Sequence, residues 1–509
     1  MPNECLLGID IGTTGAKSVL FDLNGNLVSK GYVEYPVSTP KPGWAEQDPT
    51  TWWNATIESL EIALSKSATL PDRILCIGLS GQTNSPSFIG EGGKPLRPSI
   101  LWMDRRAELQ ASRIREMIGE ERIHKITGVK VDPFFSYCKV LWVKENQPDI
   151  LKETKVLMQP KDYIGFKLTG ECVLDKALAS SSGFLDIKLG EYAMGLLEEE
   201  GFPTEKLPKL VLCSEIIGEV TADASELTGL VKGTPVIAGS GDVMVNAVGA
   251  GVIKSGYAYN KTATASDIVV CVNQPIFDPK FRIVSYVHAI PDKWLLVGGA
   301  AGGVCYRWFR DKFAREEIEI AKDLGKDPYE IMDIGAQQVE TGSSNLIFLP
   351  YMMGARSPIW DPKARGVYFG ININHDKRHF IRAIMEGIAY SVRHRIDILE
   401  KELDVKIKEV RVVGGGARSQ LWRRIMADVY NKPIILLGGE EQECLGSAIL
   451  ASVGTGLYRD SAEACERMVS TIERLEPVRE NNEKYERLFR VYVGLYDRLK
   501  DSFDALVKS

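Results

Sequence analysis

Near the N-terminus, Gly8-Ile9-Asp10-Ile11-Gly12-Thr13-Thr14-Gly15-Ala16-Lys17 gathers residue types that can hold a phosphate. Glycines such as Gly12 let backbone N–H groups approach an anion closely. Thr13 and Thr14 add hydroxyl donors, and Lys17 adds a cation facing the β- and γ-phosphates of a nucleotide. Asp10, at the end of an apolar run, offers a carboxylate suited to Mg²⁺ through water. The same letters also fit a plain Gly/Thr turn, with Asp10 solvated and Lys17 an exposed strand lysine. A P-loop is excluded: alanine separates Gly15 from Lys17, and Ser18-Val19-Leu20-Phe21 reads as a strand where that motif needs a helix.

Other segments share this character. Gly239-Ser240-Gly241-Asp242 places a carboxylate at a strand-to-helix turn, where it suits a proton acceptor or a helix N-cap. Gly414-Gly415-Gly416-Ala417 follows a strand, but Arg418 and Ser419 replace the last glycine of a dinucleotide fingerprint, leaving a plain turn as the alternative. Gly299–Gly303, with Gly302 and Gly303, is a further candidate for the nucleotide side.

The elements that must position these residues follow from pattern. Cys5–Asp10, Lys17–Asp22 and Leu27–Tyr35 read as three strands joined by tight turns, an antiparallel meander. A helix over Thr50–Lys66 and a strand over Arg73–Leu79 follow, so an α/β domain with a mixed sheet is expected. The theme returns at Pro235–Asp242 (strand), Val243–Val252 (helix) and Gly256–Val270 (hairpin). Long helices are expected over Lys377–Glu402 and Asn481–Lys508, with a strand at Glu409–Val413. A chain of 509 residues exceeds one hydrophobic core, so two domains are expected, 1–250 and 251–509.

Composition narrows the class. The chain is 44% hydrophobic and 26% charged with a net charge of -6 and no basic stripe, which argues against a nucleic-acid binder. No apolar run of about 18 residues is present, so no membrane span is expected. Nine scattered cysteines form no CxxC pair, against a disulfide framework or zinc ribbon, and a cytoplasmic setting is expected. His375 and His379 lack the H-E-x-x-H glutamate of a metalloprotease.

Asp10-Ile11-Gly12-Thr13-Thr14 resembles the first phosphate loop of the ATPase superfamily that includes actin, hexokinase and the large heat-shock chaperones. Gly43–Pro49, Pro350–Gly370, Glu386-Gly387-Ile388-Ala389 and Gly414–Ser419, in that order, are similar to segments of the FGGY carbohydrate kinases. The resemblance implies an α/β fold of two ribonuclease-H-like (actin-like ATPase) domains, with ATP and substrate in an interdomain cleft, and often a homodimer. It implies ATP-dependent phosphorylation of a hydroxyl of a small sugar or polyol, with Asp242 as general base and Asp10 and Asp242 as Mg²⁺ residues. Gly415, Gly416 and Ala417 match the adenosine pocket. One departure stands out: the second phosphate loop, Gly-Thr-Ser-Gly-like in the family, reads Ala263-Thr264-Ala265-Ser266 here. Thr264 keeps the hydroxyl and both glycines are gone. Either the turn needs no positive φ or the phosphate approaches differently.

On the substrate side, Ser80–Ser85 and Leu101–Arg106 are expected to contact the sugar. Gln82, Thr83, Asn84, Asp104 and Arg105 supply polar groups, and Trp102 or Phe135 an apolar wall, Trp102 being equally a core residue. These loops resemble the xylulose kinase branch, but Thr83-Asn84-Ser85 replaces its Met-His-Gly, so a related pentulose or a C4–C6 polyol fits equally. The competing reading is a catalytically weak sugar- or nucleotide-binding regulator, motivated by the altered second loop. An assembly ATPase is disfavoured by the sugar-side loops.

Overall fold

The structure, a computed structural model, describes residues 4–67 and 69–508. Two compact units divide the chain, and neither is contiguous. The first comprises Met1–Ile253, Cys271–Leu295 and Glu441–Ser470; the second comprises Lys254–Val270, Leu296–Glu440 and Thr471–Ser509. A single division near residue 250 captures the first crossing of the chain and not the four that follow.

The first unit is built on a mixed sheet. Cys5–Ile11 pairs antiparallel with Gly15–Asp22, which pairs antiparallel with Leu27–Glu34. On its other side Cys5–Ile11 runs parallel to Ile74–Gly81, which is followed by Pro235–Ile237 and Ile216–Glu219. Cys5–Ile11 is buried along its whole length, as its near-continuous apolar sequence requires of a central strand covered on both faces. Side chains alternate between faces. Gly31, and Ser18 paired with it, face the helix Pro49–Lys66: Ser18 Oγ lies 2.7 Å from Ser59 Oγ. Gly8 and Gly78 face the opposite helix, Gln442–Gly454, so closely that a Cβ at either would lie 2.3 Å or less from the helix backbone. Asp48 caps the helix that starts at Pro49, accepting from the Thr50 N–H at 2.8 Å.

The second unit repeats the plan. Tyr257–Thr262 and Ala265–Val272 form an antiparallel hairpin, and Tyr257–Thr262 runs parallel to Glu409–Val413. Ile434–Leu437 and Thr471–Leu475 extend the sheet. The expected helix at 377–402 spans Lys377–Lys401 and buries 16 residues between its two ends. A hairpin whose first strand pairs parallel with a later strand therefore occurs in both units, the duplicated ribonuclease-H-like arrangement expected from sequence. Among the described residues, no helix is long and apolar enough to cross a membrane.

Candidate functional site

In the first unit the Gly12–Thr14 turn is closed by the Gly12 N–H donating to Gly15 O at 3.0 Å. Tyr35 Oη donates to Gly12 O at 2.6 Å. Thr13 is a crossroads. Its hydroxyl donates to Gln82 Oε1 at 3.2 Å and accepts from Trp102 Nε1 at 3.0 Å, and its carbonyl accepts from Gln47 Nε2 at 2.7 Å. Gln82 Nε2 in turn donates to Gln47 Oε1 at 3.0 Å. The turn and the sugar-side loops are thus one hydrogen-bonded body. Gln47, which links them, lies in the Gly43–Pro49 segment, though its residue type alone gave no reason to select it.

Asp10 is buried and its Oδ1 accepts from Ser80 Oγ at 2.7 Å. Ser80 is the register partner of Asp10 on one side and of Ser240 on the other. Asp10 and Ser240 therefore flank the strand Ile74–Gly81 at the same level, roughly 10 Å apart for two strand spacings. Asp242 follows Ser240 by two residues and opens the helix Asp242–Gly249, its Oδ1 accepting from the Val243 N–H at 2.9 Å. Both carboxylates thus stand at the C-terminal ends of strands next to one central strand, where α/β sheets bind ligands.

Lys17 has carboxylate partners close by. It pairs with Glu441 at 3.0 Å, and Lys30 pairs with the same carboxylate at 2.9 Å. Burial by itself would lower the Lys17 pKa, but Asp10, Glu443 and Glu441 push it above the ordinary lysine range. The ammonium is held by local carboxylates, on the strand that leaves the turn and opposite Asp10 in the ladder.

Three substrate-side expectations are also corrected or narrowed. Asp104 is fully buried, and its oxygens accept from the Ala45 N–H at 2.6 Å, the Arg106 N–H at 2.8 Å and the Arg106 guanidinium at 2.7 and 2.9 Å. It is a structural anchor for the loop and presents nothing to a sugar. Phe135 is buried; its neighbour Phe134 is the ring in edge contact with Trp102, at 6.0 Å between centroids. Arg105 is half-exposed but paired with Asp132 at 2.8 Å and Glu108 at 2.7 Å. Asn84 adopts φ 56°, and its Oδ1 accepts from the Ser136 N–H at 3.0 Å. Thr83 lies against the Asp242 turn: a Cβ on Gly241 would be 2.4 Å from its Cγ2. Lys139, which pattern gave no reason to select, is buried and donates to Asn84 O at 2.6 Å and Phe134 O at 2.8 Å. Burial pulls its pKa down to about 7.

In the second unit the departure at Ala263–Ser266 finds its explanation. None of these four residues has a positive φ, so no glycine is demanded within the turn. The glycines stand opposite. The Gly303 N–H donates to Ala263 O at 2.7 Å and the Gly302 N–H to Thr264 O at 3.2 Å. A Cβ on Gly302 would lie 2.5 Å from Ala265 C, and one on Gly303 2.3 Å from Ala263 O. Arg395, fully buried, donates to Ser266 O at 3.0 Å and Ser357 O at 3.1 Å. Burial lowers its pKa to about 10. Gly414, at φ 82°, and Gly416 pack against Thr262, next to the turn, while Gly415 faces open space and Ala417 is buried. Thr264, Gly302, Gly303 and Gly414–Ala417 thus converge on one end of the hairpin.

Comparison with known proteins identifies the family. Residues 5–249 match the N-terminal domain and residues 267–455 the C-terminal domain of the FGGY family of carbohydrate kinases. The gluconokinase of Bacillus subtilis is 34% identical over 500 residues, 98% of this chain and 96% of that protein. The xylulose kinase of the same organism is 31% identical over 502 residues, 98% of each. Among solved structures, the ligand-bound xylulose kinase from Lactobacillus acidophilus superposes with a TM-score of 0.90 at 28% identity, covering 99% of this chain and 100% of that one.

Proposed function

The chain belongs to the FGGY family of carbohydrate kinases, an ATP-dependent sugar-phosphorylating enzyme, and from that premise we propose how its residues divide the reaction. Asp242 is the general base. As the sugar hydroxyl oxygen bonds to the γ-phosphorus, its proton passes to the Asp242 carboxylate while the bond from the phosphorus to the ADP oxygen breaks. The observation that supports this reading is the register that sets Asp10 and Asp242 at the ends of strands flanking Ile74–Gly81. Within the first unit, the Gly12–Thr14 turn, with the hydroxyls of Thr13 and Thr14, is the phosphate-contacting element; within the second, it is the Thr264 hydroxyl, on a turn that the Gly302 and Gly303 N–H groups hold in place. Gly415, Gly416 and Ala417 support the adenosine.

Asp10 and Asp242 are the residues that would hold Mg²⁺. Their hard oxygens suit it, and glycine at position 12 keeps the approach to Asp10 Oδ2 clear, since a Cβ there would lie 3.7 Å from that oxygen. When bound, the ion neutralises charge on the phosphates. Positioning is left to the chain: the Thr13–Gln82–Gln47 bonds hold the phosphate turn against the sugar loops, and Lys139 clamps Asn84 to Phe134.

For the substrate, we propose a C5–C6 sugar of the ketose or aldonic acid class, supported by relatives named for xylulose and for gluconate. The gluconate class lies outside the pentuloses and polyols considered from sequence. A coupled assay of ADP release over D-gluconate, D-xylulose, pentitols, tetritols and glycerol tests this. Sugar-dependent ADP release with D-gluconate or D-xylulose is expected; binding of sugar and nucleotide with no sugar-dependent release would favour the regulator instead.

A further inference from the structure

Behind the Asp242 turn lies a buried polar cluster that the reaction scheme does not use. Asp175, fully buried, caps the short helix Lys176–Ser181 by accepting from the Leu178 N–H at 2.9 Å. A cap needs only that bond. The same Oδ1 also accepts from Ser240 Oγ at 2.7 Å and from Cys213 Sγ at 3.2 Å. Oδ2 forms an ion pair with Lys161 Nζ at 2.9 Å, and Lys161 also contacts Asp162. All three ionisable side chains are essentially inaccessible to solvent. Lys161 packs beneath Gly81, where a Cβ would lie 3.3 Å from its backbone nitrogen.

The strand these groups brace is short. Ser240–Gly241 has two register pairs, with Ser80 and Gly81. It is entered through Gly239 at φ 65°, where a Cβ would lie 1.8 Å from Leu79 O. Two ladder positions define the strand's direction weakly, and the next residue is Asp242. Buried ion pairs of this kind rarely stabilise a fold more than apolar packing would, and their best-attested use is to fix one arrangement among several.

We propose that Asp175 is a positioning residue for the phosphoryl transfer, holding Ser240 through its hydroxyl, and so aiming the Asp242 carboxylate, while Lys161 anchors it from behind. The proposal rests on the assignment of Asp242 as general base. A displaced reacting group costs about 10²-fold per ångström of misplacement, which sets the expected effect.

The test is a double-mutant cycle on the full chain, using whichever of D-gluconate and D-xylulose the wild-type protein turns over. D175N, checked for folding by circular dichroism and for ATP binding by calorimetry, is expected to lose about 10²-fold in kcat while the KM for sugar changes less than about threefold. Placed on the D242N background, it is expected to slow the residual rate by less than about twofold, because its effect runs through Asp242. A folded D175N with near-normal kcat overturns the proposal, as does an equal loss on both backgrounds. If D175N does not fold, S240A, which removes the link and leaves the Lys161–Asp175 pair intact, undergoes the same cycle. An S240A protein of wild-type kcat is then decisive against the idea. A D242N protein of wild-type rate would instead remove the general-base assignment and leave the bracing of Ser240 as a purely structural fact.

Discussion

The two hairpin turns proposed to bind phosphate meet one steric requirement in different ways. In the first, the small residue sits in the turn itself: a Cβ on Gly15 would lie 2.5 Å from the Tyr32 ring and 2.6 Å from Val33 O. In the second, the turn residues carry side chains, and the small residues stand across from them at Gly302 and Gly303. Neither turn uses the positive φ for which glycine is usually kept. What both need is a close approach of backbone to backbone, and that space can be left by either partner. The loss of glycine at Ala263 and Ser266 is therefore matched by small residues on the opposing segment, at Gly302 and Gly303.

The first unit also carries both carboxylates proposed for the reaction, Asp10 and Asp242, and the largest effect is expected there. Asp242→Asn should lower kcat by about 10²–10⁴-fold while ATP affinity, measured by calorimetry, stays within about twofold. Retained turnover would give the general base to another group.

Acid should also strike the first unit. His288 is buried, with Nε2–H donating to Val252 O at 2.9 Å and Nδ1 accepting from the Ile290 N–H at 3.0 Å. Both nitrogens are engaged by the neutral ring, and burial lowers its pKa to about 4. The unfolded chain therefore binds this proton first. The contribution is complete above pH about 6.5 and is lost as pH falls toward about 4, a change of about 3 kcal/mol. Urea melts between pH 7 and 4 should show this loss, and should show it reduced in His288→Gln. Equal slopes in the two proteins would contradict it.

The second unit is tested by its opposing glycines. Gly302→Ala would place a Cβ 2.5 Å from Ala265 C at a backbone ψ of -116°. A cost of about 1–3 kcal/mol is expected in thermal melts, with ATP binding weakened at least roughly tenfold. Wild-type ATP affinity in that variant would show that the turn does not depend on its partner. The smallest effect is expected from restoring a family-like glycine, Ala263→Gly. It should lose about 0.4–1 kcal/mol through the unfolded chain and gain no more than about twofold in ATP affinity. Tenfold tighter binding would mean that the alanine turn is a weakened site after all.

Local pattern carried the hairpins, the long helices and the two strand-end aspartates, because strand alternation, glycine turns and helical periods are written within a few residues of each other. It failed where partners decide. Asp104, in a loop, and Asp242, opening a helix, are both carboxylates at turns, and only the burial of Asp104 against Arg106 separates the anchor from the proposed reactant. Phe134 and Phe135 differ by one position, and the turn into the helix Ser136–Asn146 decides which faces Trp102. Lys17 stands opposite Asp10 in the ladder, yet its partner Glu441 lies more than 400 residues away in sequence. Charge patterns within a segment say nothing of so distant a carboxylate.

That distance has a consequence for biosynthesis. Gln442–Gly454 covers one face of the sheet that carries Asp10, seated on Gly8 and Gly78. A ribosome that has just finished the helix Asp242–Gly249 must add about 200 more residues before that cover exists. At roughly 5–20 residues per second this leaves an apolar sheet face waiting for some ten to forty seconds. The nascent chain is therefore expected to engage holding factors during that interval, and a fragment ending near residue 250 to aggregate rather than fold.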